Sequence, residues 1–260
     1  MKRQKTRKTL LFISMLLFPI TLNYLSPYLV IRGGFEGAVA GSALLFAGLF
    51  LSSLFFGRAY CGWVCPVGGL QDAAAAVNDK PAGRRMNAIK YIIWVPWLGA
   101  IAAGFIMAGG IRLIDPIYCT DYGISISQMN GVVIYFMVVA AIVTLSLTLG
   151  RRAFCHCGCW MAPFMVLGSL LREKLHIPGL RLTADADKCT GCRACEKHCP
   201  MSLPVREMAK SGQPFHTECI LCGGCADRCA QGALHLGFST AKPCAQIIEP
   251  TAIDHTKMPL

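Results

Sequence analysis

Residues 189–200 read CTGCRACEKHCP, and residues 219–229 read CILCGGCADRC. Each stretch places four cysteines in eleven residues, with the spacing Cys-x2-Cys-x2-Cys-x3-Cys. A 4Fe–4S cluster binds four thiolates, and this spacing is typical of such clusters. A structural zinc site usually takes two separated cysteine pairs, so the compact run favours iron–sulfur clusters over zinc. The two repeats therefore predict two 4Fe–4S clusters.

The spacing also predicts how the cysteines are shared. Three closely spaced cysteines let one loop bind three corners of a cube, and the fourth cysteine reaches the other cluster. The expected ligand sets are Cys189, Cys192 and Cys195 with Cys229, and Cys219, Cys222 and Cys225 with Cys199. Over residues 183–240 the chain resembles the bacterial two-cluster ferredoxins, with Ala230 where a proline often follows the fourth cysteine. We therefore expect a small α+β ferredoxin-like domain at 183–240 and a C-terminal tail at 241–260.

The residues before this domain are membrane-like. The chain of 260 residues is 54% hydrophobic and only 15% charged, which is too apolar for an ordinary soluble domain. Four apolar stretches approach the ~20 residues that cross a bilayer, at 10–25, 38–56, 91–107 and 132–149. The first begins with basic residues as a signal peptide does, but we interpret it as an uncleaved helix. The predicted fold is an all-α bundle of four transmembrane helices over residues 1–171, joined to the ferredoxin-like domain.

The basic residues predict an orientation. Residues 1–171 hold 14 lysines and arginines against 5 acidic residues. Of these 14, 12 lie before the first stretch, after the second or after the fourth, so both termini should be cytoplasmic in a multi-pass inner-membrane protein. The cysteine-rich tail then lies in a reducing compartment, which favours metal sites over disulfides. Charge beside apolar stretches indicates lipid contact, and no basic stripe typical of nucleic-acid binding is present.

Two of the apolar stretches end in a repeated motif. Residues 58–65 and 152–159 both read Arg-Ala-aromatic-Cys-x3-Cys. If each segment is helical, the i, i+4 cysteines share one face. We therefore expect Cys61, Cys65, Cys155 and Cys159 to form a third redox or metal site at the membrane edge, with Cys157 as an alternative ligand. The competing interpretation is that they are buried free cysteines, which pack as small hydrophobic residues.

The other candidate residues carry weaker predictions. Cys119 and Cys244 are isolated, so we interpret them as structural or incidental, and His156 stays unassigned. Asp115 is a candidate proton acceptor, but an aspartate before Pro116 more often begins a turn. The sequence contains no phosphate-binding loop, dinucleotide fingerprint or haem-attachment motif.

The order of these motifs resembles the NapH type of membrane ferredoxin, which is related to NosR-like and CcoG-like proteins. The resemblance rests on Gly57 to Pro66, on the second Cys-x3-Cys pair and on the two ferredoxin repeats. It differs at Trp160, where the family has a proline, and at the additional Cys157. The resemblance implies an electron-transfer subunit of a quinol dehydrogenase, rather than a stand-alone enzyme. Such a subunit would pass electrons from the membrane quinol pool to other redox subunits of a membrane complex.

Two other functions remain open from the sequence. A CcoG-like metal (copper) reductase or assembly factor would use the membrane-edge thiols to handle a metal. A redox sensor would use cluster loss to change a partner interaction. The sequence has no recognisable output domain for a sensor, and motifs alone do not decide between the other two functions.

Overall fold

The computed structural model describes residues 2–121, 123–126, 129–212 and 214–240. In this part of the chain, most elements are helical. The α-helices are Lys2–Leu16, Phe18–Thr21, Pro27–Glu36, Gly41–Phe56, Ala59–Trp63, Pro66–Ala74, Asn87–Met107, Met129–Leu149, Ala153–Cys157, Met161–Lys174, Ala194–Lys197, Val205–Lys210 and Gly224–Arg228. Short 3-10 turns lie at Asn23–Leu25 and Arg84–Met86, and the strands are Ala38–Ala40, Leu113–Asp115, Gly179–Ala184 and Leu234–Ser239.

Within the described residues, two helices are long and apolar enough to cross a membrane, Asn87–Met107 and Met129–Leu149. Each has 21 residues, which at 1.5 Å per residue gives about 31 Å, close to the thickness of the hydrocarbon core. Gly41–Phe56 is equally apolar but has 16 residues, or about 24 Å. Large apolar side chains on the long helices, such as Ile92 and Phe136, stay exposed, as lipid-facing residues do.

The first predicted span, 10–25, is not one helix. Lys2–Leu16 ends before Pro19, a short helix follows, and a new helix begins at Pro27. Proline lacks the backbone N–H that continues a helix, so Pro19 lies in the first turn of the short helix Phe18–Thr21, and Pro27 begins the next helix. The basic helix Lys2–Leu16 packs instead against Pro66–Ala74, directly after the first Cys-x3-Cys pair.

The apolar helices pack through aromatic side chains. Phe164 lies with its ring centroid 5.8 Å from that of Phe46 and 6.1 Å from that of Trp97, which joins three helices. At Gly168 the helices approach so closely that a Cβ would collide with the Ser53 hydroxyl. Small residues allow this close contact between apolar helices.

The cysteine-rich part is a small α+β unit, as expected from the sequence. Gly179–Ala184 pairs antiparallel with Leu234–Ser239, and Leu182 lies opposite Leu236. Each three-cysteine loop leads into a short helix, Ala194–Lys197 or Gly224–Arg228, through one residue with left-handed backbone. Because both loops turn the same way, the sequence repeat is also a structural repeat.

An aromatic contact holds this unit against the apolar helices. The ring of Phe56, at the end of its helix, stacks edge-on against Phe238 at 5.8 Å. Within the apolar part itself, Trp160, just after the second Cys-x3-Cys pair, donates a hydrogen bond from Nε1 to the carbonyl of Leu25 at 2.8 Å. On another part of the chain, Ala38–Ala40 pairs in parallel with Leu113–Asp115. There the Asp115 carboxylate accepts a hydrogen bond from the backbone N–H of Ile117 at 3.0 Å, the geometry of a turn-forming aspartate.

Candidate metal centres

The structure brings four of the ferredoxin-type cysteines together. Burial, together with the neighbouring thiols of Cys222 and Cys199, raises the pKa of Cys219 to about 12, against a backbone hydrogen bond from Leu221 that lowers it. Cys225 interacts electrostatically with the same three cysteines, and burial raises its pKa. The fourth cysteine of the first repeat therefore lies with the first three of the second repeat.

The other four ferredoxin-type cysteines lie nearer the solvent. Cys192 is exposed, whereas Cys189, Cys195 and Cys229 are half-buried. Burial raises the pKa of Cys195, and the neighbouring Cys189 adds to this rise. Cys229 accepts a hydrogen bond at its sulfur from the backbone N–H of Ala233 at 3.3 Å.

The membrane-edge cysteines are all buried. Cys61, Cys65, Cys155 and Cys159 expose 4–5% of their surface and belong to the same apolar core. Burial holds the pKa of Cys65 well above its usual range, and the other three thiols raise it further. Burial, together with the neighbouring thiols of Cys155 and Cys61, likewise raises the pKa of Cys159 to about 12. The two sequence motifs thus converge on one group of four thiols, which we call the membrane-edge set.

The i, i+4 spacing predicted that the two cysteines of each pair share one helical face, and this prediction is wrong. The helices end at Trp63 and Cys157, and the second cysteine of each pair follows the helix end. Cys65 has extended backbone (φ −65°, ψ 119°) because Pro66 disfavours helical backbone in the residue before it. The sulfurs converge through this turn rather than along a helix.

The remaining cysteines are placed as follows. Cys157 is half-buried and interacts with Cys155. Cys119 is exposed, and its carbonyl accepts a hydrogen bond from Asn23 Nδ2 at 2.7 Å. Cys244 lies outside the described residues. All the described cysteines are free thiols.

Buried cations surround the membrane-edge set. Arg58 and Arg152 each precede the first cysteine of a motif by three residues, and each exposes only 1% of its surface. Arg58 acts electrostatically on Cys61 and Cys159, and Arg152 on Cys155 and Cys61. Arg152 also donates a hydrogen bond from Nη1 to the carbonyl of Cys61 at 2.7 Å. Cations at these positions stabilise thiolates against the cost of burial.

Two carboxylates hold these cations in place. Glu218 accepts from Arg58 and from Lys90, each at 2.5 Å. Burial alone would raise the pKa of Glu218, but the two cations lower it to about 2, so it is a carboxylate at neutral pH. Asp72 accepts from Arg152 at 2.7 Å and from Arg7 at 2.9 Å. Four cations beside the membrane-edge set thus share only two carboxylates, and this excess of positive charge suits a site of four thiolates.

One further polar side chain touches a sulfur. Gln71 is fully buried and donates from Nε2 to the sulfur of Cys155 at 3.1 Å. Its carbonyl oxygen accepts from the backbone N–H of Phe154 at 3.0 Å. Nearby, His156 Nδ1 lies 2.7 Å from the Asn87 side-chain oxygen, and burial lowers the His156 pKa to about 4. His156 is therefore a neutral side chain at pH 7.

The donor sets fit iron–sulfur clusters. Among the described residues, no three histidine, cysteine or acidic side chains are arranged to hold a single metal ion. A 4Fe–4S cube differs from such a site because its four thiolates bind four different irons. Free thiols within a buried, cation-rich core are suitable ligands, since metal binding takes the place of the proton on each sulfur.

Two family models match the chain. A 4Fe-4S binding domain matches twice, over residues 39–83 and 130–178, and each match contains one Cys-x3-Cys pair. A 4Fe-4S dicluster domain matches residues 188–234, which contain both ferredoxin repeats. The first model thus matches both copies of the repeat that the sequence shows, and both models describe 4Fe-4S binding.

The relatives agree with these matches. YccM of Escherichia coli, named for electron transport, is 25% identical over 84% of this chain and 61% of its own length. The methylamine utilization ferredoxin-type protein MauN of Methylorubrum extorquens is 32% identical over 66% of this chain and 59% of its own length. The ferredoxin-type protein NapH of Haemophilus influenzae is 27% identical over 73% of this chain and 67% of its own length. The chain thus spans about three fifths of the first two relatives, and no solved structure matches it significantly.

Proposed function

On the premise that this chain belongs to the NapH-type family of ferredoxin-type iron–sulfur proteins, we propose that it carries electrons from membrane quinol to a redox partner. The observation that carries the proposal is the folding of the two four-cysteine repeats against each other, so that Cys199 joins Cys219, Cys222 and Cys225. Iron–sulfur clusters supply one-electron transfer when they are bound.

The eight ferredoxin-type cysteines would hold two 4Fe–4S clusters in the two sets described above. The chain's own contribution is to bind the irons through thiolates and to exclude water from them. Ile220, Leu203 and Met201 are almost fully buried and line the same cavity as Cys199, Cys219, Cys222 and Cys225. Burial and hydrogen bonds at the sulfurs set the reduction potential of such clusters.

The membrane-edge set would hold a third centre. Its support is the burial of four free thiols beside Arg58 and Arg152, together with a 4Fe-4S family match around each motif. Glu218 and Asp72 pair with these arginines, but the same two carboxylates also bind Lys90 and Arg7, so cations outnumber carboxylates. Buried charge is costly unless it is balanced, and a cluster with four thiolates would provide the missing negative charge. We interpret Cys157 as lying beside this set rather than in it, because it is half-buried whereas all four thiols of the set are buried.

We further propose that the protein is a multi-pass protein of the inner membrane with cytoplasmic termini. The two 21-residue apolar helices and Gly41–Phe56 support this, and the basic residues lie at the ends that should face the cytoplasm. In this arrangement the membrane-edge set would lie next to the lipid, where quinol is available. The acceptor would be another redox subunit of a membrane complex.

Anaerobic reduction by quinol tests the proposal. The loaded protein in lipid vesicles receives a short-chain menaquinol or ubiquinol, and cluster reduction is followed by absorbance and by electron paramagnetic resonance (EPR). We expect reduction of the wild type and a smaller reduced fraction in Cys219→Ser, with Cys119→Ser as the matched control that behaves as the wild type. Fully loaded clusters that stay oxidised with both quinols would contradict quinol as the donor. Reduction of copper by the membrane-edge thiols in the Cys219→Ser variant would favour a metal reductase instead.

A further inference from the structure

The segment between Cys61 and Cys65 of the membrane-edge set directly contacts one half of the ferredoxin-like unit. Trp63 donates a hydrogen bond from Nε1 to the carbonyl of Leu221 at 3.1 Å. At the neighbouring Gly62, a Cβ would collide with the carbonyl oxygen of Ile220 and would lie 3.5 Å from the backbone nitrogen of Cys222. The backbone after Cys61 therefore lies in van der Waals contact with the loop that carries Cys219 and Cys222.

The same contact is held by charge. Arg58, beside Cys61, reaches across to the Glu218 carboxylate at 2.5 Å and to the carbonyl of Thr217 at 3.4 Å. Both residues immediately precede Cys219 in the chain. Glu218 is 3% exposed, so this ion pair lies in the interior between the two cysteine sets.

The two arginines act on both sets. Arg58 interacts with Cys61 and Cys159 on one side and with Cys219 on the other. Arg152 interacts with Cys155 on one side and with Cys222 on the other. For Cys195, in the other ferredoxin set, the interacting groups are its neighbours Glu196 and Cys189.

We propose that the contact of residues 61–63 with residues 220–222 makes the Cys199–Cys219–Cys222–Cys225 set the direct redox neighbour of the membrane-edge set, with Arg58 shared between them. The Cys189–Cys192–Cys195–Cys229 set is then the outer one, nearest the solvent and the partner. The inference rests on the proposed function, because both neighbouring sets have to hold clusters.

The proposed exchange between the neighbouring sets is the transfer of a single electron. With clusters bound in both sets, one electron would leave the cluster of one set, oxidising it, and would enter the cluster of the other, reducing it, and no bond would break and no proton would move. Quinol is the proposed reductant that would supply electrons to the first cluster. Arg58 would stay in place and would stabilise the additional negative charge on whichever cluster held the electron. Both sets should therefore respond to a change at this one side chain.

An Arg58→Gln variant tests this. Glu218 keeps its bond to Lys90 in the variant, so the carboxylate is not left unpaired. Potentiometric EPR titration of the loaded protein measures the midpoint potential of each centre, and cysteine-to-serine variants assign the signals. We expect the potentials of the membrane-edge centre and of the Cys219 centre to fall together, whereas the outer centre keeps its potential. Arg58→Lys, which retains the charge, should restore part of both shifts.

A second variant keeps the test decisive if Arg58→Gln fails to bind iron. Trp63→Phe keeps an aromatic ring but loses the hydrogen bond to Leu221, and should weaken the magnetic interaction between the two reduced centres. Arg206→Gln, which removes an arginine near the outer set, is the matched control for Arg58→Gln. It should change neither the potentials of the two neighbouring centres nor the magnetic interaction between them. A shift confined to one centre, or an effect on the outer centre alone, overturns the inference while leaving quinol reduction intact. A protein with only the two ferredoxin clusters overturns both this inference and the proposed third centre.

Discussion

The hydrogen bond from Gln71 to the sulfur of Cys155 should raise the reduction potential of the membrane-edge centre. The amide nitrogen lies 3.1 Å from the sulfur, and the side chain is fully buried. A hydrogen bond to a charged group contributes roughly 1.5–3 kcal/mol, more when the acceptor carries more negative charge. The bond therefore favours the reduced state, and its loss in Gln71→Leu should lower the potential.

The expected size follows from this bond alone. If about a third of its strength appears only on reduction, the difference is about 0.5–1 kcal/mol. At 59 mV for each tenfold change in a one-electron equilibrium, this corresponds to a fall of roughly 20–45 mV. The variant also leaves the Phe154 N–H without its partner, at a cost of about 1–3 kcal/mol in stability.

Potentiometric EPR of the purified, anaerobic protein measures the shift. Gln4→Leu is the matched control, since Gln4 bonds the Cys222 carbonyl and Asp227 but no sulfur. We expect the control to leave the membrane-edge potential unchanged. An unchanged or higher potential in a Gln71→Leu protein with full iron content would refute the role of this bond.

The remaining predictions concern stability, measured by thermal unfolding in detergent. Gly168→Val should destabilise the protein by roughly 1–3 kcal/mol, because the new side chain overlaps Ser53, whereas Gly48→Val, with open space around it, should change little. Asp72→Asn should cost up to about 3 kcal/mol, since it removes the carboxylate that compensates the buried Arg152. Asp79→Asn, at an exposed ion pair, should cost less than about 1 kcal/mol, and equal losses in the two aspartate variants would contradict the assigned role of Asp72.

The sequence predictions that agree with the structure rest mainly on the spacing of the cysteines. Eight cysteines in two short runs specify two loops of the same shape, and the repeat of a left-handed residue before each short helix is a consequence. The α+β character of the tail and the iron–sulfur family follow from the same pattern. The two loops depend on residues that are near each other in the chain, whereas the strand pair joins residues 50 to 60 positions apart.

Long-range contacts were not predictable. Glu218 lies 160 residues from Arg58, and Gln71 lies 84 residues from Cys155, so no local pattern pairs them. The one available signal was the arginine repeated three residues before the first cysteine in both motifs. A single buried arginine is unremarkable in a sequence, but its repetition beside paired cysteines indicates a common electrostatic role.

Proline residues explain where the helices predicted from the sequence patterns are interrupted. Hydrophobicity alone predicted one helix over 10–25, whereas Pro19 and Pro27 divide the chain into shorter helices. Pro66 likewise moved Cys65 out of the helix that the i, i+4 spacing suggested. In both places the apolar or cysteine pattern was real, but the backbone could not continue the helix.

The central claim is tested most directly by the iron and acid-labile sulfide content per chain of anaerobically prepared protein. Mössbauer spectroscopy of the same samples identifies the type of cluster that holds the iron. We expect about 12 irons in the wild type, about 8 in Cys61→Ser and about 12 in Cys119→Ser, all as 4Fe–4S clusters. About 8 irons in both the wild type and Cys61→Ser would remove the third centre. Zinc in place of iron, with no sulfide, would contradict the assignment of iron–sulfur clusters altogether.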